Sequence, residues 1–352
     1  MKDVLYIGPY RQNDTWGYYS KSVATLLSNM DVNLALRPIW FTAAERAADI
    51  ENLKQYEDVR LEHFDILIQH GLPSSLSYNG RFKTNMAITK IDCNIFNIGW
   101  HETLGLFDQV IVLSEIEKQI LLDSGAKYPV QNLFCCPPTL TTAQDFEFDV
   151  EGTTFYTRGS LDLLSGLRET LAAYLSEFTI LDNVCLIIAT DQEQRTQQLI
   201  EGLKNSLNIY TNKQHYPAIA VINQDNRHVM SAIHQKFTYF INMSYNSGLC
   251  EDTALAIVNN STPIVIDTCN IAKDYCFAVD SITETMLHDQ RPLPNLFSGE
   301  FTWKKPSIAS LKNKLRLAYT QETSDQLKEQ LYMLKNKIFS TPHKQLQCIL
   351  TQ

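Results

Sequence analysis

A chain of 352 residues exceeds the roughly 250 to 300 at which one hydrophobic core stops growing, so two domains are expected. With 44% hydrophobic and 20% charged residues it is neither disordered nor fibrous, and a formal net charge of -9 argues against a protein whose main task is sequence-independent grip on phosphate backbones. Its apolar runs, such as Val184 to Ala189, fall far short of the ~20 residues a spanning helix needs, so no membrane span is expected.

The chain opens on Met1-Lys2-Asp3 and passes directly into Val4-Leu5-Tyr6-Ile7, without the apolar segment and cleavage site of a signal peptide. The eight cysteines are scattered, with no C-x-x-C pair, and read as reduced thiols. Both features point to a cytoplasmic protein.

Short apolar runs alternate with amphipathic stretches of helical period, the pattern of parallel sheets with crossover helices. In the first half, strands are predicted at Val4 to Ile7, Val32 to Leu36, Ile66 to Gln69, Ile95 to Ile98, Gln109 to Leu113 and Leu133 to Cys135. Helices are predicted at Gly17 to Met30, Ala43 to Tyr56 and Glu115 to Ser124, the last with Ser114 as N-cap and Gly125 just past its end. Cys136-Pro137-Pro138 closes this series, and the polar, aperiodic stretch Thr139 to Gly152 reads as a linker.

A second series follows, with strands at Thr153 to Thr157, Val184 to Ala189, Ile219 to Ile222, Tyr239 to Asn242, Ile264 to Ile266 and Phe277 to Val279. Its helices are Leu163 to Phe178, Gln192 to Leu207, Arg227 to Gln235 and Asp252 to Asn259, followed by Ser307 to Tyr319 and Asp325 to Phe339. The basic residues Lys304, Lys305, Lys312, Lys314 and Arg316 read as a solvated helix face in preference to a binding stripe. Two βα domains joined by one linker leave a cleft, and open α/β sheets bind ligands at the carboxyl ends of their strands.

Four segments carry a resemblance. The first is Ile7-Gly8-Pro9-Tyr10-Arg11-Gln12-Asn13-Asp14-Thr15-Trp16-Gly17, a strand and polar loop leading to a glycine that opens a helix. The second runs from Asp108 through Ser114 and Gly125 to Pro137. The third is Phe155-Tyr156-Thr157-Arg158-Gly159-Ser160-Leu161 through Ser165-Gly166. The fourth is Ile241 to Asp252 with Gly248 in its turn, continuing to Asn260-Ser261-Thr262-Pro263. In this order they resemble the family-4 retaining glycosyltransferases.

The resemblance implies an α/β protein of GT-B architecture, two Rossmann-like βα domains facing each other across a cleft, with C-terminal helices. Residues 1–140 would form the acceptor domain and residues 153–340 the nucleotide-sugar donor domain, with the tail 341–352 returning to the first. It implies transfer from a nucleoside-diphosphate sugar, with retention; the acceptor is not given by the sequence, and a glycan, a lipid-linked glycan and a modified DNA base all stay open. The nucleotide sugar is a co-substrate, and neither a metal nor another cofactor is implied.

Site residues follow from the same resemblance. His101, in Gly99-Trp100-His101-Glu102 after a predicted strand, would touch the donor sugar or acceptor; otherwise it is a loop histidine capping a helix or strand end. Glu251 would bind the sugar; otherwise Glu251 and Asp252 are favourable first-turn acids of a helix. Gly17, Arg158, Ser160, Ser165, Gly248, Leu249, Cys250, Asp252 and Thr253 would face the donor, largely through N–H groups at helix starts. Trp16, Tyr18, Tyr19 and His70 would face the acceptor; the simpler reading of the aromatic residues is packing at the first helix.

The sequence departs from the family in the donor domain. Serines 160 and 165 stand where the family has an arginine and a lysine, and Gly248 and Ala256 stand where it has two glutamates. Arg158 or Arg168 could supply the missing cation. These departures also fit a non-catalytic subunit of the same fold that binds a partner or acceptor, whereas the paired acid and base of a sugar-nucleotide epimerase are not evident.

Overall fold

The computed structural model describes residues 1–12, 15–41, 50–91, 98–134, 150–161, 163–223, 227–245, 251–269, 277–285, 302–321 and 325–351. Two six-stranded parallel sheets form the frame. The first contains β1 (Lys2–Gly8), β2 (Val32–Pro38), β3 (Ile66–His70), β4 (Thr84–Ile88), β5 (Gln109–Val112) and β6 (Val130–Asn132), in spatial order β2-β1-β3-β4-β5-β6. Helices α1 (Thr15–Ser28), α2 (Glu51–Lys54), α3 (Ile98–Leu104) and α4 (Glu115–Asp123) lie between its strands in the chain.

The second sheet contains β7 (Thr153–Arg158), β8 (Val184–Ala189), β9 (Ala218–Ile222), β10 (Tyr239–Asn242), β11 (Thr262–Ile266) and β12 (Phe277–Val279), in order β12-β11-β10-β7-β8-β9. Its crossover helices are α5 (Leu167–Glu177), α6 (Glu193–Leu207), α7 (Arg227–Lys236) and α8 (Glu251–Val258). An antiparallel hairpin of β13 (Ser281–Thr285) and β14 (Thr302–Pro306), then α9 (Ile308–Thr320) and α10 (Asp325–Thr351), complete the described chain.

Local chemistry accounts for most of these elements. All six residues of β8 are buried, as a near-continuous apolar run requires in a sheet covered on both faces. Ser114 caps α4 by accepting from the Glu117 N–H, and Gly125 follows that helix at φ +93°, a conformation glycine adopts without penalty.

Several expectations need correction, among them the sixth strand, expected at Leu133 to Cys135 but formed by Val130–Asn132, and the helix expected at Ala43 to Tyr56, of which Glu51–Lys54 is helical and residues 43–49 lie outside the described residues. Ile98 opens α3 and is not the end of a strand; residues 95–97 of that predicted strand lie outside the described residues. The fourth strand is instead β4, whose apolar pattern is interrupted by Asn85. That side chain is fully buried because Asn79 satisfies it, through Asn79 N–H to Oδ1 at 2.9 Å and Nδ2–H to Asn79 O at 3.1 Å. The hairpin of β13 and β14 escapes a periodicity reading because β13 is mostly exposed. Of the predicted linker, residues 139–149 lie outside the described residues.

The last helix was expected to stop at Phe339, yet α10 runs on through Pro342 to Thr351. Proline inside a helix removes one hydrogen bond and crowds the preceding turn. Burial offsets that cost on both sides of it: Leu331, Leu334 and Ile338 before the proline and Leu346, Ile349 and Leu350 after it join one core with Val4 and Leu27 of the first unit and Ala254 and Ile257 of α8. Lys2 Nζ donates to Leu350 O at 2.7 Å, and Phe134 N–H donates to Gln345 Oε1 at 2.9 Å, so the end of α10 is fastened to the first sheet. Among the described residues no helix is long and apolar enough to cross a membrane.

The late basic residues are largely spent on the protein itself. Arg316 donates to Glu177 Oε1 at 2.7 Å, Asp182 Oδ1 at 2.8 Å and Glu177 O at 2.7 Å, with its guanidinium over the Phe178 ring. Burial alone would raise the Asp182 pKa, but hydrogen bonds from Arg316 and Thr179 hold it below the ordinary value. A depressed carboxylate contributes stability above its unfolded pKa and loses it as pH falls through the folded one. Arg316→Ala should therefore cost about 1 to 3 kcal/mol at pH 7, with a smaller deficit near pH 3. Urea denaturation of both proteins at the two pH values measures this, and an equal deficit at both would count against the ionic link.

Candidate functional site

In an open parallel sheet the loops part where the strand order reverses, leaving a crevice at the carboxyl edge. In the first sheet β2 lies on one side of β1 and β3 on the other, so the crevice lies between the loops after β1 and β3. In the second, β8 and β10 flank β7, placing it between the loops after β7 and β10.

The second crevice is closely built. The two loops meet where Tyr245 N–H donates to Leu164 O at 2.8 Å, and Gly166 packs so tightly that an added Cβ would fall 2.1 Å from Met243 O. Arg158 ends β7 with its side chain 44% exposed, and its Nη1 lies 3.4 Å from Asp252 Oδ2 in the first turn of α8. Ser165 Oγ donates to Ser160 O at 2.6 Å and accepts from Leu167 N–H at 3.3 Å. Thr253 is buried, its Oγ1 accepting from Asn242 Nδ2 at 3.3 Å. Gly248, Leu249 and Cys250 lie outside the described residues; Glu251 is placed by its backbone as the first residue of α8.

Beneath Arg158 and Asp252 is a polar contact that sequence reasoning missed. Tyr156, two residues before Arg158 and on the same face of β7, meets His234 Nδ1 through its hydroxyl at 2.8 Å. Burial pushes the His234 pKa down to about 4, against a raising influence from Asp252, so the imidazole is neutral near pH 7. The available signal was a histidine four residues after Met230 on the apolar face of a helix.

The first crevice is aromatic. Trp16, half-buried in the first turn of α1, lies edge-on to Phe41 at 5.5 Å and to His70 at 5.9 Å between ring centroids. His70 ends β3, fully buried, with Nδ1 held at 2.8 Å by the Tyr6 hydroxyl, which in turn contacts Ser20 Oγ at 2.8 Å. Burial pushes its pKa down to about 3. Gly17 is glycine for a reason internal to the chain, since a Cβ there would fall 2.1 Å from Gln12 O. Tyr18 is half-buried, but Tyr19, expected at the acceptor, is fully buried in the core. Neighbouring positions on a helix point about 100° apart, so the two cannot share one face.

No family model matches this sequence, and no curated protein matches it. Solved structures do. A trehalose-6-phosphate structure from E. coli bound with UDP-2-fluoro glucose has a TM-score of 0.63 at 10% identity, covering 99% of this chain and 98% of that one. The N-terminal domain of Candida albicans trehalose-6-phosphate phosphatase has a TM-score of 0.59 at 11% identity, covering 100% and 96%. A mutant of S. aureus TarM, in complex with Fondaparinux, alpha-GlcNAc-glycerol and UDP, has a TM-score of 0.54 at 11% identity, covering 81% and 54%. The chain has the GT-B fold.

Within the GT-B frame, the expected donor residues Arg158, Ser160, Ser165, Asp252 and Thr253 come together at the second crevice, and Trp16, Gly17 and His70 at the first. His101 joins neither. It lies on α3 and not in a loop, and its Nδ1 contacts the Tyr128 hydroxyl at 2.9 Å. Tyr128 precedes β6 by two residues, so this contact lies at the amino edge of the sheet, opposite the crevice. Burial lowers the His101 pKa, opposed by a hydrogen bond with the Ser124 backbone. This geometry supports a packing role for His101, anchoring α3 to the turn after α4.

Proposed function

We propose that this GT-B protein transfers a sugar from a nucleoside-diphosphate sugar to a hydroxyl acceptor, with retention. The donor would sit on residues 153–340, the acceptor on residues 1–140, and the tail 341–352 would link them. One observation carries the reading: at the crevice of the second sheet an arginine closing β7 stands beside the N-terminal turn of α8. A guanidinium and helix N–H groups together suit a diphosphate. In the transfer, the bond from the anomeric carbon to the diphosphate oxygen breaks and its electron pair leaves with the diphosphate. The acceptor oxygen bonds to the same carbon, and its proton passes to the departing diphosphate. Arg158 and the N–H groups of α8 stabilise the charge that develops there.

Calorimetric titration with uridine, guanosine, adenosine and cytidine diphosphates tests the donor site. One of them should bind, and Arg158→Ala should weaken it about tenfold or more, the loss of one charge-assisted hydrogen bond. Equal affinity in both proteins would remove Arg158 from the site, and no binding by any of the four would remove the site.

A second reading, a non-catalytic GT-B subunit, is favoured by one feature. Asp252 already engages Arg158, and Ser165 is turned back on Ser160, so the chain satisfies part of this crevice by itself. Hydrolysis of a nucleotide sugar would decide against that reading.

A further inference from the structure

We propose that the crevice of the first sheet accepts an uncharged saccharide through a free hydroxyl and not a sugar phosphate, an inference that rests on the transferase reading above. The first support is what the nearby cations are doing. Arg11, in the loop after β1, donates through Nε to Glu57 Oε1 at 2.8 Å and through Nη2 to Glu57 Oε2, while the Tyr10 hydroxyl donates to the same carboxylate at 2.9 Å. Arg37, at the carboxyl end of β2, donates to Leu36 O and Glu57 O, both at 2.6 Å, and to Val59 O at 2.9 Å. A phosphate dianion calls for a guanidinium with open donors. Recruiting either arginine would strip partners from a partly buried carboxylate or from carbonyls, at the cost of groups left unpaired.

Among the described residues, what the crevice offers in their place is apolar and neutral. The half-buried Trp16 indole, braced edge-on by Phe41, is an amphipathic surface suited to the C–H face of a sugar ring, with the ring's hydroxyls left at the rim. Beside it, His70 Nε2 is buried without a hydrogen-bond partner, while Nδ1 is taken by Tyr6. The Trp16 ring lies edge-on to this imidazole, 5.9 Å away between centroids. An unpaired buried ring nitrogen is costly, and a sugar hydroxyl, both donor and acceptor, satisfies it in either tautomer. Burial holds this imidazole neutral at physiological pH, so it brings no charge with which to balance a phosphate.

The test uses the full chain and whichever nucleotide sugar it hydrolyses in water. Glucose, N-acetylglucosamine and maltose are compared with glucose 6-phosphate and N-acetylglucosamine 6-phosphate, following release of the nucleoside diphosphate and the product mass. A neutral saccharide should speed release and yield a product one glycosyl unit heavier, while its phosphate lags behind. Trp16→Ala should raise the KM for that saccharide about tenfold with a smaller effect on kcat, and Trp16→Phe should recover most of it. Preference for the phosphates, or an unchanged KM in Trp16→Ala, would overturn the acceptor inference and leave the transferase reading standing. No turnover of any nucleotide sugar, with or without acceptor, would overturn both.

Discussion

Glu117→Ala should be among the most destabilising single substitutions in the first unit. The Glu117 side chain is fully buried, and its two carboxylate oxygens serve different elements. Oε2 accepts from Leu113 N–H at 2.7 Å, at the end of β5, and Oε1 accepts from Ile91 N–H at 3.2 Å, just beyond β4. The Glu117 N–H donates to the capping Ser114 Oγ at 3.2 Å. A glutamate three residues after a serine cap ordinarily reaches back to the cap's own N–H; here it reaches further and ties two strand ends to the helix. Removing it leaves two buried donors unpaired, at about 1 to 3 kcal/mol each. The expected loss is thus about 2 to 6 kcal/mol, with Glu117→Gln losing less because one oxygen remains to accept. Urea unfolding followed by circular dichroism measures both. A midpoint for Glu117→Ala within error of wild type would mean that water reaches these donors and that the tie is dispensable.

Gly166→Ala should damage the second unit and its crevice together. Gly166 precedes α5 at φ +68° and ψ 14°, a left-handed conformation that costs another L-residue roughly 1 to 2 kcal/mol. The added methyl would also fall 2.1 Å from Met243 O, a backbone atom that can yield only by moving the loop after β10. That loop is held to the loop after β7 by the bond from Tyr245 N–H to Leu164 O, and it leads into α8, where Asp252 meets Arg158. The substitution should lower the unfolding midpoint and weaken nucleoside-diphosphate binding, whereas a purely structural glycine would affect only the midpoint. Calorimetry on protein confirmed folded by circular dichroism separates the two, and unaltered affinity would show that the donor does not depend on this junction.

The periodic segments were legible in the sequence because each is decided by its own residues. An apolar run such as Val184 to Ala189 cannot be left in water and is too short for a helix. Glu115 to Asp123 carries its start signal in Ser114 and its stop signal in Gly125. These local preferences, repeated in alternation, specify two parallel βα units, and the ordered motifs resembling retaining glycosyltransferases pointed to the GT-B fold.

Pairing decided the rest. Asn85 breaks the apolar run of β4, and only its partner Asn79 makes its burial tolerable. Strand order is a property of the folded sheet, and it is strand order that opens crevices after β1 and β3 and after β7 and β10. His101 resembled a cleft residue in sequence, but the placement of α3 sets it against Tyr128 at the opposite edge. Arg158 and Asp252 are 94 positions apart, and the loops that make them neighbours are likewise distant in the chain. Local propensity acts over a helical turn or a strand, whereas the position of a charge in a cleft depends on contacts between residues far apart in the chain, and those exist only once the two sheets have formed.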